Sequence, residues 1–135
     1  MIEARVAGLQ YDNNAKSHVV FLSEVDGERV LPIWIGPAEA SAIGMEMLGK
    51  KFQRPLTHDL ALRLVERLSG KLERVVIDAY SEEGSRATLH LSGPSGVQRL
   101  EAGAGDGVAL ALRADLPVFV TEEVLARAGG SGDSL

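Results

Sequence analysis

No cysteine occurs among the 135 residues, which rules out a disulfide framework, a thiol nucleophile and a thiolate metal site. Aromatic residues make up only 4% of the chain, so composition offers no stacking platform for a nucleic-acid strand, and the single tryptophan, Trp34, reads as core or subunit interface. No apolar run approaches the roughly 20 residues of a bilayer span. The start, Met1-Ile2-Glu3-Ala4-Arg5, shows no basic segment leading into an apolar stretch. The expected compartment is the cytoplasm, with no membrane partner. Positive charge is also scarce. The net charge of −5 argues against a global attraction to nucleic acid, because sequence-independent binding is driven by cations that neutralise phosphates. The phosphate-cradling P-loop, the Gly-x-Ser-x-Gly elbow, the paired histidines of a zincin and the dinucleotide glycine fingerprint are all missing. His18, His58 and His90 lie far apart in sequence. Without covalent staples, stability must come from packing.

What is present is an ordinary globular composition, 45% hydrophobic and 24% charged, at a length that suits one core. A single domain is expected over residues 1–128, with residues 129–135 as a disordered tail. Ile2 to Val6 alternates apolar and charged residues as a half-buried strand does, and Asp12-Asn13-Asn14 supplies a turn. His18 to Val25 and Arg29 to Ile35 follow as strands around the hairpin signal Asp26-Gly27. Pro32 lacks a ladder N–H, which puts the third strand at a sheet edge or next to a bulge. Gly36-Pro37 opens a helix reaching about Leu48, and Gly49 to Pro55 is a short basic connection. Thr57 is suited to cap a second helix, whose Leu60, Leu64 and Leu68 share one face expected to be core. Strands are then expected at Leu72–Tyr80, Arg86–Leu91 and Val97–Glu101. Asp106 is placed to cap a third helix ending near Arg113, Pro117 to Val120 reads as a brief buried strand, and Thr121 opens a last helix. The expected class is α+β: two mostly antiparallel β-meanders, in the order β-β-β-α-α-β-β-β-α-β-α, forming a mixed sheet packed by helices.

The residues able to carry chemistry gather at expected helix starts: Glu39, His58-Asp59 and Asp106. One reading is that each acid complements the positive end of a helix dipole, worth about 0.3–1 kcal/mol. The other is that these starts converge on a pocket. There Glu39 and Asp59 would hold a divalent ion such as Mg²⁺ or Mn²⁺, and His58 would carry a proton. Carboxylates alone repel phosphate. Lys50, Lys51 and Arg54 in the connection between the first two helices are the candidate phosphate contacts, although such charges also serve simply to solvate a surface.

Four stretches go beyond this generic reading. They are Leu31-Pro32-Ile33-Trp34-Ile35-Gly36-Pro37-Ala38-Glu39-Ala40, Arg54-Pro55-Leu56-Thr57-His58-Asp59-Leu60, Glu73-Arg74-Val75-Val76-Ile77, and Asp106 through Val120 with Ala109-Leu110-Ala111-Leu112-Arg113 inside. In order and spacing the chain resembles the bifunctional nuclease family from about Ile2 to Ala128. The resemblance implies a compact α+β fold, a homodimer and hydrolysis of DNA and RNA, with Glu39, Arg54, His58, Asp59, Asp106 and Arg113 at the matching polar positions. One departure stands out. Where the family pattern reads Asp-Ala-Arg-Pro-Ser-Asp-Ala, this chain has Glu101-Ala102-Gly103-Ala104-Gly105-Asp106-Gly107, which removes an arginine and is expected to loosen the loop. The competing function is a non-catalytic dimeric module that binds a small ligand or a protein through the same surface.

Overall fold

Period-two alternation sends Val20 and Leu22 of one strand, and Leu31 and Ile33 of the next, to the same side of the sheet, where all four are fully buried. The computed structural model describes residues 1–49 and 56–131. Its elements are β1 (Ile2–Asp12), β2 (Ser17–Glu24), β3 (Arg29–Ile35), α1 (Pro37–Met47), α2 (Thr57–Arg67), β4 (Lys71–Ala79), β5 (Arg86–Gly93), β6 (Gly96–Gly103), α3 (Ala104–Arg113), β7 (Val118–Val120), α4 (Glu122–Ala128) and β8 (Gly130–Ser131). The expected α+β class and element order hold, with β8 added. Gly130 and Ser131, within the stretch expected to be a tail, pair with Val30 and Arg29.

All the strands belong to one sheet, in the order β6-β5-β4-β7-β1-β2-β3-β8. Each meander is antiparallel, and β7 joins them, running antiparallel to β1 and parallel to β4. Among the described residues β8 covers β3 only at Arg29 and Val30, so at Pro32 the outer side of β3 is an edge, the place where a residue without an N–H is tolerated.

The sheet bends around α3. This helix touches β3 near one end of the strand order as well as β5 and β6 at the other. Ala104, Gly105, Gly107, Val108, Ala109, Leu110 and Ala111 are all buried. Against them lie Val75 and Ile77 of β4, Ala87 and Leu89 of β5, and Val118 and Val120 of β7. Each fully buried Val, Leu or Ile contributes about 1.5–3 kcal/mol through loss of apolar surface. Small residues on α3 permit the close approach. A Cβ on Gly107 would stand 2.9 Å from the Ala87 Cβ and 3.0 Å from a Val75 methyl, and one on Gly105 would stand 2.8 Å from an Ile35 methyl. Gly103 to Gly107 is therefore not a loosened loop. Gly103 ends β6 and caps α3, while the other two glycines are pressed into the packing.

α1 and α2 lie on α3 from outside. The leucine stripe of α2 does not join the core: Leu60, Leu64 and Leu68 are 50%, 56% and 78% exposed. The inward side of α2 is Ala61 and Leu62, packed against the core, together with half-buried Val65. Spacing identifies an apolar stripe but carries no information about whether the stripe meets its own chain or another. The capping expectations divide in the same way. Thr121 accepts a hydrogen bond from the Val124 N–H at 3.3 Å, as an N-cap should. Thr57 and Asp106 are not caps: the N-cap positions are Leu56 and Gly103, which leaves Asp106 in the first turn with its side chain free for another partner.

Candidate functional site

The first turns of α2 and α3 meet. His58, one residue into α2, places Nε2 3.0 Å from Oδ1 of Asp106 in the first turn of α3. A carboxylate only accepts, so the imidazole donates from Nε2 and its Nδ1 is left with the lone pair. The histidine side chain is 15% exposed, whereas Asp106 is 50% exposed and faces solvent.

A second contact locks the same helices together. Arg113, in the last turn of α3, pairs with Asp59 of α2 and, at 3.0 Å, with Glu46 of α1. Its pKa is raised above the ordinary arginine value, first by the hydrogen bond to Glu46. Desolvation opposes that shift and attraction to Asp59 adds to it. Asp59 also reaches back to accept the Leu56 N–H at 3.2 Å, covering one of the donors that the start of α2 leaves unpaired. His58, Asp59, Glu46 and Arg113 line a cavity of about 30 Å³ between the three helices. That is room for one or two waters, so a phosphodiester has no place inside.

Glu39 faces elsewhere. Its Cβ and Cγ pack on Gly105, next to Asp106, but its carboxylate folds back over Gly36 at the start of α1. It lines an open cleft of about 540 Å³ together with Trp34, Glu82, Glu83 and Gly103. Three carboxylates and no Lys or Arg line this cleft, so a phosphate meets repulsion there. Gly103 stands on its wall.

Of the residues singled out in the sequence, His58 and Asp106 form one pair and Asp59 and Arg113 another, while Glu39 lines a separate cleft. Lys50, Lys51 and Arg54 lie outside the described residues. Glu39 and Asp59 do not share a cleft, and Arg113 occupies the Asp59 carboxylate. Among the described residues no group of three or more His, Asp or Glu side chains could hold a metal ion. The side chains present do not fit a metal centre built on Glu39 and Asp59.

Glu46 escaped sequence reasoning although a signal was there. It follows Glu39 by seven residues, two helical turns, and so shares its face of α1. Glu82 and Glu83 carry no local signal that their turn comes up against β3 and the start of α3.

A curved mixed sheet wrapped around one buried helix, with a histidine–carboxylate pair joining two helix starts, defines an α+β domain with its polar chemistry at the helix ends. Residues 20–132 match the bifunctional nuclease domain, and the chain belongs to that family. It is also 40% identical over 129 residues to the uncharacterized protein MT1877 of Mycobacterium tuberculosis strain CDC 1551. The uncharacterized protein Rv1829 of strain H37Rv matches to the same extent. In each case the match covers 96% of this chain and 77% of the relative.

Proposed function

We propose that this protein hydrolyses phosphodiester bonds in DNA and RNA, with His58 as the proton carrier. The observation that carries this reading is the 3.0 Å contact between His58 Nε2 and Asp106 Oδ1, in a chain of the bifunctional nuclease family. Asp106 fixes the tautomer and steadies the imidazolium, so Nδ1 can take a proton from the attacking water as its oxygen bonds to phosphorus, while the P–O bond to the sugar breaks and the leaving oxygen is protonated by solvent. In this scheme Asp106 is a positioning residue. Asp59 acts at one remove, holding α2 against α3 through Arg113. The phosphate contacts are assigned to Lys50, Lys51 and Arg54, which lie in sequence between α1 and α2, since Arg113 is already committed to two carboxylates.

The test is digestion of single-stranded DNA and RNA by purified protein, with Mg²⁺, with Mn²⁺ and with chelator. His58→Ala is expected to lower the rate by about 10²–10⁴-fold, and Asp106→Asn to lower it substantially. Equal rates in wild type and both variants would assign the cleavage to a contaminant and favour a binding module without catalysis.

We also propose that the chain forms a homodimer through the outer face of α2 and the adjoining end of α1. Met47, Leu48, Leu56, Leu60, Leu64 and Leu68 are all exposed there. Their combined surface, on the order of 600 Å², is at the upper end of what monomers leave bare and approaches the roughly 800 Å² per partner of a standard interface.

A further inference from the structure

Composition counts the aromatic residues but does not locate them. Of the six in the chain, Phe21 and Trp34 stand together in a groove of about 630 Å³, with Tyr11 at its edge turned to the other face, where its ring packs against His18. The groove lies on the sheet face turned away from the core. Val19 pairs with Trp34 and Phe21 with Pro32 across β2 and β3, alternating with the buried Val20, Leu22, Leu31 and Ile33. Phe21, Pro32 and Trp34 are half-buried, so their side chains are fixed by packing yet still reach solvent.

The rim differs chemically from the floor. Gln10, Asn13 and Asn14 border the groove, and their side-chain amides make no hydrogen bond among the described residues. Asp12, the one acid on the rim, has its Oδ1 occupied by the backbone N–H groups of Asn14 and Ala15. Apolar rings below and unspent amides around them suit a flat, uncharged heterocycle. Aromatic faces stack on bases of any sequence, and Asn or Gln amides match the paired donor and acceptor of a base edge. Trp34 also forms a wall of the neighbouring cleft with Glu39, Glu82 and Glu83. Those carboxylates repel phosphate, so the part of a nucleotide that can enter the groove is its neutral base.

We propose that this groove binds an unpaired nucleobase, with Trp34 as the stacking platform and Gln10, Asn13 and Asn14 reading the base edge. The inference rests on the nuclease reading for its ligand class and adds a preference for single strands, since a base stacked inside a duplex cannot reach Trp34.

Trp34 is the only tryptophan, so its fluorescence reports on this groove and on the cleft wall it shares, and the duplex and ribose 5-phosphate arms separate the two. The full chain is titrated with single-stranded oligo(dA), with the same sequence as a duplex, and with ribose 5-phosphate, all in chelator. Oligo(dA) is expected to quench Trp34 saturably, and the duplex and ribose 5-phosphate to leave it unchanged. Gln10→Ala with Asn13→Ala is expected to weaken the quenching titration about tenfold. Trp34→Ala, followed through a labelled oligonucleotide, should lose about 5–150-fold in affinity, and Trp34→Phe should recover most of it if the alanine variant folds poorly. Absence of quenching by single strands, or equal quenching by duplex or ribose 5-phosphate, overturns the proposal. Quenching is expected to survive in His58→Ala. Cleavage without quenching would leave the nuclease reading standing and remove the groove. Quenching without cleavage in wild type supplied with Mg²⁺ or Mn²⁺ would do the reverse.

Discussion

A single methyl group measures how tightly α3 is gripped. Replacing Gly107 by Ala gains about 1 kcal/mol in helix propensity. The new Cβ would stand 2.9 Å from the Ala87 Cβ and 3.0 Å from Val75, and Ala87, on β5, has no rotamer with which to yield. Overpacking of this kind costs about 1–3 kcal/mol. Gly107→Ala is therefore expected to lower stability by about 1 kcal/mol net, read from the urea midpoint at unchanged slope. An unchanged or higher midpoint would show that β5 gives way. At this scale the sequence was legible where chemistry is intrinsic to a residue and illegible where it depends on a partner. His58, Asp59 and Asp106 stood out by type and position, and Arg113 through the family resemblance. That His58 faces Asp106, and that Arg113 is spent on Glu46 and Asp59, required knowing which helix ends touch.

Between elements, one ion cluster holds the β2–β3 hairpin to α4. Arg29 pairs with Glu24 at 2.6 Å and with Glu122 at 2.8 Å. Its hydrogen bonds are the largest cause holding both carboxyls below the ordinary glutamate value. A carboxyl depressed in the folded state stabilises it above the unfolded pKa, and that stability is lost as pH falls through the folded pKa. Arg29→Met is thus expected to melt below wild type at pH 7, with the gap closing as the pH drops below about 4. A gap that persists in acid would point to packing by the arginine stem instead. The elements themselves were the most legible part of the fold, because alternation and turn residues are local. The exception is informative: the α2 leucines form the expected stripe but face outward, since periodicity is blind to which surface a stripe will meet.

At the scale of the whole molecule, the net charge of −5 and the acidic cleft at Glu39 disfavour phosphate, while α2 exposes Leu60, Leu64 and Leu68. On the homodimer reading, wild type is expected to sediment as a dimer at micromolar concentration. Leu60→Gln with Leu64→Gln should sediment as a folded monomer, because both positions are exposed within one chain. A monomeric wild type, or a variant that remains dimeric, would remove α2 from the interface. The class of fold was readable from the order of strands and helices. So was the mixed sheet made of two meanders, whereas the place of β7 between β4 and β1 and the curvature were not, because they depend on three residues late in the chain.

Those three residues, Val118–Val120, also fix an order of events. Among the described residues they alone link β4 to β1 in the strand order. Until they are in place, each meander has an open edge where β7 will later sit. Pairing Ile2 with Val120 closes a loop of almost the entire chain, the kind of distant contact that slows folding and leaves unpaired edges exposed in the meantime. A ribosome must therefore release the chain through Val120 before the sheet can become continuous, and a chain stopped before β7 would carry two sticky half-sheets with nothing to join them.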